Sequence, residues 1–129
     1  MKLLKNLVLF FGVILAIPSF GQSVNDFVSA IKNEDMATIE MFMMDKVEFC
    51  IFEDQQMLHK SAASKKFKTF LSTNKPQTVE LIHQGNSKDK ASQYKVAKMV
   101  TSQGTFRVFI YTVGEIKSGS VKEIRIDKF

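Results

Sequence analysis

QYKVAKMVTSQGTFRVFIYTV, residues 93–113, reads as two strands joined by a tight turn. Gln93 to Thr101 and Thr105 to Val113 are rich in β-branched and aromatic residues, and Ser102, Gln103 and Gly104 between them suit a short hairpin connection. The second strand is apolar on both sides. Successive side chains of a strand point to opposite faces, so Phe106, Val108 and Ile110 share one face while Arg107, Phe109, Tyr111 and Val113 share the other. Only one face of the sheet can meet helices. The second apolar face therefore predicts a dimer surface, a partner, or cover from a loop or terminus.

Working outward, Lys117, Ser118 and Gly119 turn the chain into a further strand from Ser120 to Asp127. On the other side, Val79, Leu81 and His83 alternate with Glu80 and Ile82, and the polar segment Gly85 to Ser92 follows as a turn. Short connections imply an antiparallel meander. Upstream of Pro76 the period changes: Ala63, Phe67, Phe70 and Leu71 have helical spacing, with Ser61 as the expected cap. Lys46 to Phe52 reads as a strand, Glu53 to Gln56 as an exposed turn, and Met57, Leu58 and His59 as a short second strand. Val24, Phe27, Val28 and Ile31 mark a first helix. Asp35 is placed to cap a second, carrying Met36, Ile39, Phe42 and Met43 inward. The order ααβ(β)αββββ predicts an α+β fold, a curved antiparallel sheet with helices packed on one face.

The chain opens differently. Lys2 and Lys5 precede an unbroken apolar run from Leu7 to Ile17, followed by Pro18, Ser19, Phe20 and Gly21. This is a secretory signal pattern, with cleavage expected after Gly21; the run is too short to span a bilayer, so no stable membrane insertion is expected afterwards. The division is thus 1–21 signal peptide and 22–129 one α+β domain. The expected address is periplasmic or extracellular.

The whole chain has a net charge of +5, which losing Lys2 and Lys5 lowers to +3. Its lysines are scattered among acidic residues, so nucleic acid is not an expected partner. Cys50 is the only cysteine. It lies in the run Val47, Glu48, Phe49, Cys50, Ile51, Phe52, where a small buried hydrophobe is expected, and no intramolecular disulfide can form.

Candidate chemistry is sparse. His83 ends a strand ahead of Gln84, Gly85, Asn86 and Ser87, where an imidazole can serve as acid, base or ligand, or simply bond to the following turn. Neither His83 nor His59 has a companion at metal-ligand spacing, so no metal site and no cofactor are expected. Glu53 and Asp54 are sequence neighbours on an exposed turn rather than a catalytic pair. Tyr94, Arg107, Phe109 and Tyr111, with His83, are the residues singled out for a binding pocket or interface. Each also has a plain structural reading, as a surface ladder or as core filling.

His83-Gln84-Gly85-Asn86-Ser87, Gly104-Thr105-Phe106-Arg107-Val108 and Ile124-Arg125-Ile126, taken with the order of elements, resemble a family of small exported bacterial proteins of unknown function. The resemblance runs from Val24 to Phe129. It implies the nuclear transport factor two-like, or cystatin-like, fold: a strongly bent sheet wrapped around a helix as a cone, with a pocket inside and an outer sheet face suited to dimerisation. It implies no activity, and the Asp–His pair of the superfamily's isomerases has no counterpart here.

The leading expectation is an exported, non-catalytic binding or interaction domain, forming a homodimer or meeting an envelope protein through its sheet face. One alternative is a small isomerase or hydrolase holding its ligand in the cone, with His83 as base and Tyr94 or Tyr111 as hydrogen-bond donor. Another is a structural envelope subunit docking through the sheet.

Overall fold

The computed structural model describes residues 22–129. The signal peptide expected over 1–21 lies outside them.

Helix α1 spans Gln22–Lys32 and α2 Met36–Phe42; strands β1, Met43–Ile51, and β2, Asp54–His59, follow. Helix α3 covers Lys60–Thr73, and β3 to β6 cover Pro76–Asn86, Ser92–Thr101, Gly104–Val113 and Val121–Lys128. One six-stranded sheet has the order β2-β1-β6-β5-β4-β3. Every pair is antiparallel except β1 with β6, which is parallel, with Phe49 opposite Ile124. The meander β3 to β6 is as expected. What local reading does not supply is that the last strand closes onto β1, giving a mixed sheet.

The helices cover one face of the sheet, here called inner. Phe27 and Phe42 of the helical hairpin meet at 5.2 Å between ring centroids, Phe49 of β1 meets Phe67 of α3 at 5.7 Å, and Phe70 meets Phe106 edge-on at 5.1 Å. The helical stripes bury as expected. Phe106, Val108 and Ile110 join Val121, Ile124 and Ile126 in the same core.

Several boundaries differ from expectation, each for a local reason. Asp35 caps α2 as expected, accepting from the Thr38 amide at 3.3 Å and its hydroxyl at 2.7 Å. For α3 the cap is His59, not Ser61: its Nδ1 accepts from the Ser61 N–H at 3.3 Å. Met43 is buried as expected but is the first residue of β1, not the last of α2. The expected turn over Glu53 to Gln56 shrinks to Phe52 and Glu53, because Ile51 already pairs with Asp54 and Phe52 takes a positive φ of 57°. Lys66 of α3 then binds Asp54 and Gln56 of β2 at 3.0 and 2.7 Å.

Candidate functional site

The face of the sheet opposite the helices collects the side chains with spare chemistry. Register orders them in rows. Glu80, Lys98, Arg107 and Asp127 stand opposite one another across β3, β4, β5 and β6. The next row is His83, Val96, Phe109, Arg125, Cys50 and Gln55, and the next runs Gly85, Tyr94, Tyr111, Glu123, Glu48 and Met57. All five residues singled out from the sequence therefore lie on this one outer face: His83, Tyr94, Arg107, Phe109 and Tyr111.

His83 reaches it through a bulge. Simple alternation puts His83 on the face of Val79 and Leu81, which is the inner one. Between Leu81 and His83, however, β3 advances two residues while β4 advances one, from Ala97 to Val96. The extra residue, Ile82, shifts His83 to the outer side, where it is exposed. The expected arrangement of His83 as a base inside an apolar cone is thereby corrected. His83, Tyr94 and Tyr111 share the outer face, and the inner one is packed with the phenylalanines of the core.

Tyr94 and Phe109 stack with ring centroids 5.7 Å apart and planes 12° from parallel, and Phe109 touches Tyr111 at 6.0 Å. Gly85 makes room for this. A Cβ at residue 85 would lie 2.5 to 2.8 Å from the Tyr94 ring carbons and hydroxyl, so the absence of a side chain lets the tyrosine lie across its neighbour strand. The Lys122 ammonium sits 4.5 Å from the centre of the Tyr111 ring, a cation–π contact. The aromatic row ends at an open groove of about 490 Å³ lined by Tyr111, Met44, Met57, Lys46, Glu48 and Lys122 together with Glu123. Met57 is 59% exposed and Met44 36%. Met44 and Met57 were not singled out beforehand; the pairing of Tyr111 with Glu123, Glu123 with Glu48 and Glu48 with Met57 brings Met57 into line with Tyr111, and a bulge at Lys122 lies beside them.

The rim is charged. Arg125 pairs with Glu123 at 3.1 Å, and the Gln55 amide reaches Glu48 at 3.5 Å. Lys98 and Arg107 flank the ring of Phe129 at 5.1 and 5.2 Å. Cys50 is buried in this face as expected; burial pushes its thiol up, with the Arg125 charge opposing, and its Sγ donates to the Phe52 carbonyl at 3.2 Å. This is an inert thiol.

On the inner face a charged residue breaks the apolar pattern. Lys95 alternates with Ala97 and Met99 and stands opposite Ile110, yet it is only 4% exposed. Lys95 was not singled out from the sequence, although strict alternation over residues 93–101 is the signal that puts it in phase with Ala97 and Met99. Among the described residues no group of three or more His, Cys, Asp or Glu is arranged to hold a metal, and no helix is long and apolar enough to cross a membrane.

The family described as "Domain of unknown function (DUF4783)" matches residues 24–127. A DUF4783 protein of Bacteroides ovatus has a solved structure with TM-score 0.71 and 24% identity, covering 88% of this chain and 96% of that one. Another, from Bacteroides fragilis, gives TM-score 0.70 at 23% identity over 88% and 99%. A protein of unknown function with a cystatin-like fold from Methylobium petroleophilum gives TM-score 0.62 at 10% identity over 82% and 72%. No curated protein matches. The fold is the cystatin-like, or nuclear transport factor two-like, one, and with nearly its whole described length matched, the chain belongs to the DUF4783 family.

Proposed function

We propose that the domain is an exported, non-catalytic binding or interaction module that works through the outer face of its sheet. The supporting observation is the continuity of Tyr94, Phe109 and Tyr111 with the groove beside Met44 and Met57, on a face the core does not need. Stacked aromatics and exposed methionines ringed by charges of both signs have the make-up of a contact patch. A second copy of the chain is the first partner to test, an envelope protein the next.

Light scattering of the purified protein across a range of concentrations tests this, alongside Phe109→Ser and Tyr111→Ser. The expected result is a dimer whose dissociation constant rises about tenfold or more in each variant, as for a central aromatic contact. A monomer at all concentrations that also captures no envelope protein by this face overturns the reading. Export is checked by mass spectrometry of protein from the cell envelope, where an N-terminus at Gln22 is expected.

A further inference from the structure

At the end of the sheet where β4 turns into β5, cations gather that no carboxylate holds. Lys98 and Arg107 stand directly opposite each other across β4 and β5, and Lys128 of β6 is the register partner of Phe106. Like charges facing across a strand pair are unfavourable. Glu80 and Asp127 flank the pair in register on β3 and β6, yet among the described residues no carboxylate comes within ion-pair distance of Lys98, Arg107 or Lys128. Their cations rest on rings instead, Lys98 and Arg107 on Phe129 and Lys128 on Phe52 at 6.0 Å. A ring face attracts a cation without neutralising it, so the positive charge stays available to a ligand.

There is room beside them. An open groove of about 490 Å³ is lined by Lys98 and Lys128, by Gln103 and Thr105 of the hairpin, and by Phe106 and Phe129. No acidic side chain lines it. Phe129 is 55% exposed and Phe106 6%, so one forms an open wall and the other the floor. The Gln103 amide and the Thr105 hydroxyl add neutral donors to the two ammonium groups.

We propose that this groove binds the phosphate group of a small phosphate monoester, with Lys98 and Lys128 as its charge partners and the organic part of the ester over Phe106 and Phe129. Two ammonium groups match one dianion, whereas a carboxylate would leave half of that charge unmatched. The cluster is confined, with Glu80 and Asp127 on either side, and is not the extended basic stripe that a nucleic-acid backbone requires. The groove shares no lining residue with the one beside Tyr111 and stands or falls independently of the contact patch.

The test is titration of isotopically labelled protein with sodium phenyl phosphate, sodium phenyl sulfate and benzyl alcohol at constant ionic strength. A pH of about 7.5 keeps the phosphate above its second pKa of about 6. The resonances followed are the Gln103 side-chain amide and the backbone amides of Gly104, Thr105 and Phe129. Saturable shifts are expected at millimolar phenyl phosphate, several-fold weaker binding with the singly charged phenyl sulfate, and none with benzyl alcohol. Lys98→Gln and Lys128→Gln should each weaken binding about tenfold, as loss of one charge-assisted contact does. Lys88→Gln, which removes an exposed charge from the loop between β3 and β4 at the far end of the sheet, should leave binding unchanged. Absence of saturable shifts, phenyl sulfate or benzyl alcohol binding as tightly as phenyl phosphate, or equal losses in all three variants overturns the site. If Lys98→Gln does not fold, the exposed Lys128 decides: loss in Lys128→Gln without loss in Lys88→Gln upholds the proposal, and equal binding by the two refutes it.

Discussion

Lys95 sits where its strand otherwise presents Ala97 and Met99 to the core, and burial depresses its ammonium below the ordinary lysine value of 10.5, with the charge of Glu115 opposing. Its contribution to stability therefore has a definite sign. While the amine is charged in both the folded and unfolded chain, folding bears the full desolvation cost. As pH rises through the depressed folded value toward 10.5, the folded state loses its proton first and that cost is relieved. Lys95→Met should be more stable than the wild type near neutrality, by on the order of 1 kcal/mol. The gap should close as pH approaches 10.5, because only the wild type gains from deprotonation. Cys50, whose thiol is pushed the other way, is present in both proteins and drops out of the difference. Urea unfolding of the two proteins at neutral and alkaline pH measures the gap. A gap independent of pH would mean that Lys95 is as well solvated folded as unfolded.

Among the elements, α2 is the one least able to stand by itself: seven residues, two of them buried, with Asp35 holding its first turn. Asp35→Ala should cost about 1 kcal/mol, while Asp35→Asn, which keeps an acceptor at the cap, should cost only a few tenths. Thermal unfolding of both variants checks this, and equal losses would show that charge, not the cap hydrogen bond, matters there. Elements whose periodicity and caps agree, such as α2 and the β4–β5 hairpin, were legible from residues alone. Where the sequence misleads, a tertiary contact overrides a local signal. Phe52 is a poor turn residue, since a positive φ strains a bulky side chain, yet it holds the β1–β2 turn because its ring meets Phe70 at 6.3 Å and Phe106 at 6.1 Å. No glycine or asparagine flags that turn. His59 is a weak cap by type and acts as one because the strand it ends delivers its ring to Ser61. The bulge at Ile82 left no mark either, so the sequence pattern assigned His83 to the wrong face; the glycine that accommodates Tyr94 is visible in the sequence, but its purpose depends on the strand pairing.

At the level of the whole molecule, β6 joins the two halves of the chain. It is wedged between β1 and β5, parallel to one and antiparallel to the other, so the N-terminal helices and the C-terminal hairpin share one core. Its alternation also separates the core from the outer face on which we propose recognition. Ile124 points into the core and is fully buried, while Arg125 points to the outer face, bound to Glu123. Ile124→Ala should cost about 2 to 5 kcal/mol, since it leaves a cavity among side chains drawn from both halves. Arg125→Ala should cost less than about 1 kcal/mol, as an exposed ion pair does. The two variants should part company again in association. Arg125→Ala is expected to weaken self-association or partner binding while its unfolding midpoint at low protein concentration stays near the wild type. Ile124→Ala should lower that midpoint and bind normally whenever it is folded. Denaturant unfolding and light scattering on the same pair of proteins measure both quantities. If Arg125→Ala left association unchanged while Ile124→Ala abolished it in the folded state, recognition would have to be moved off the outer face and sought on the helical side.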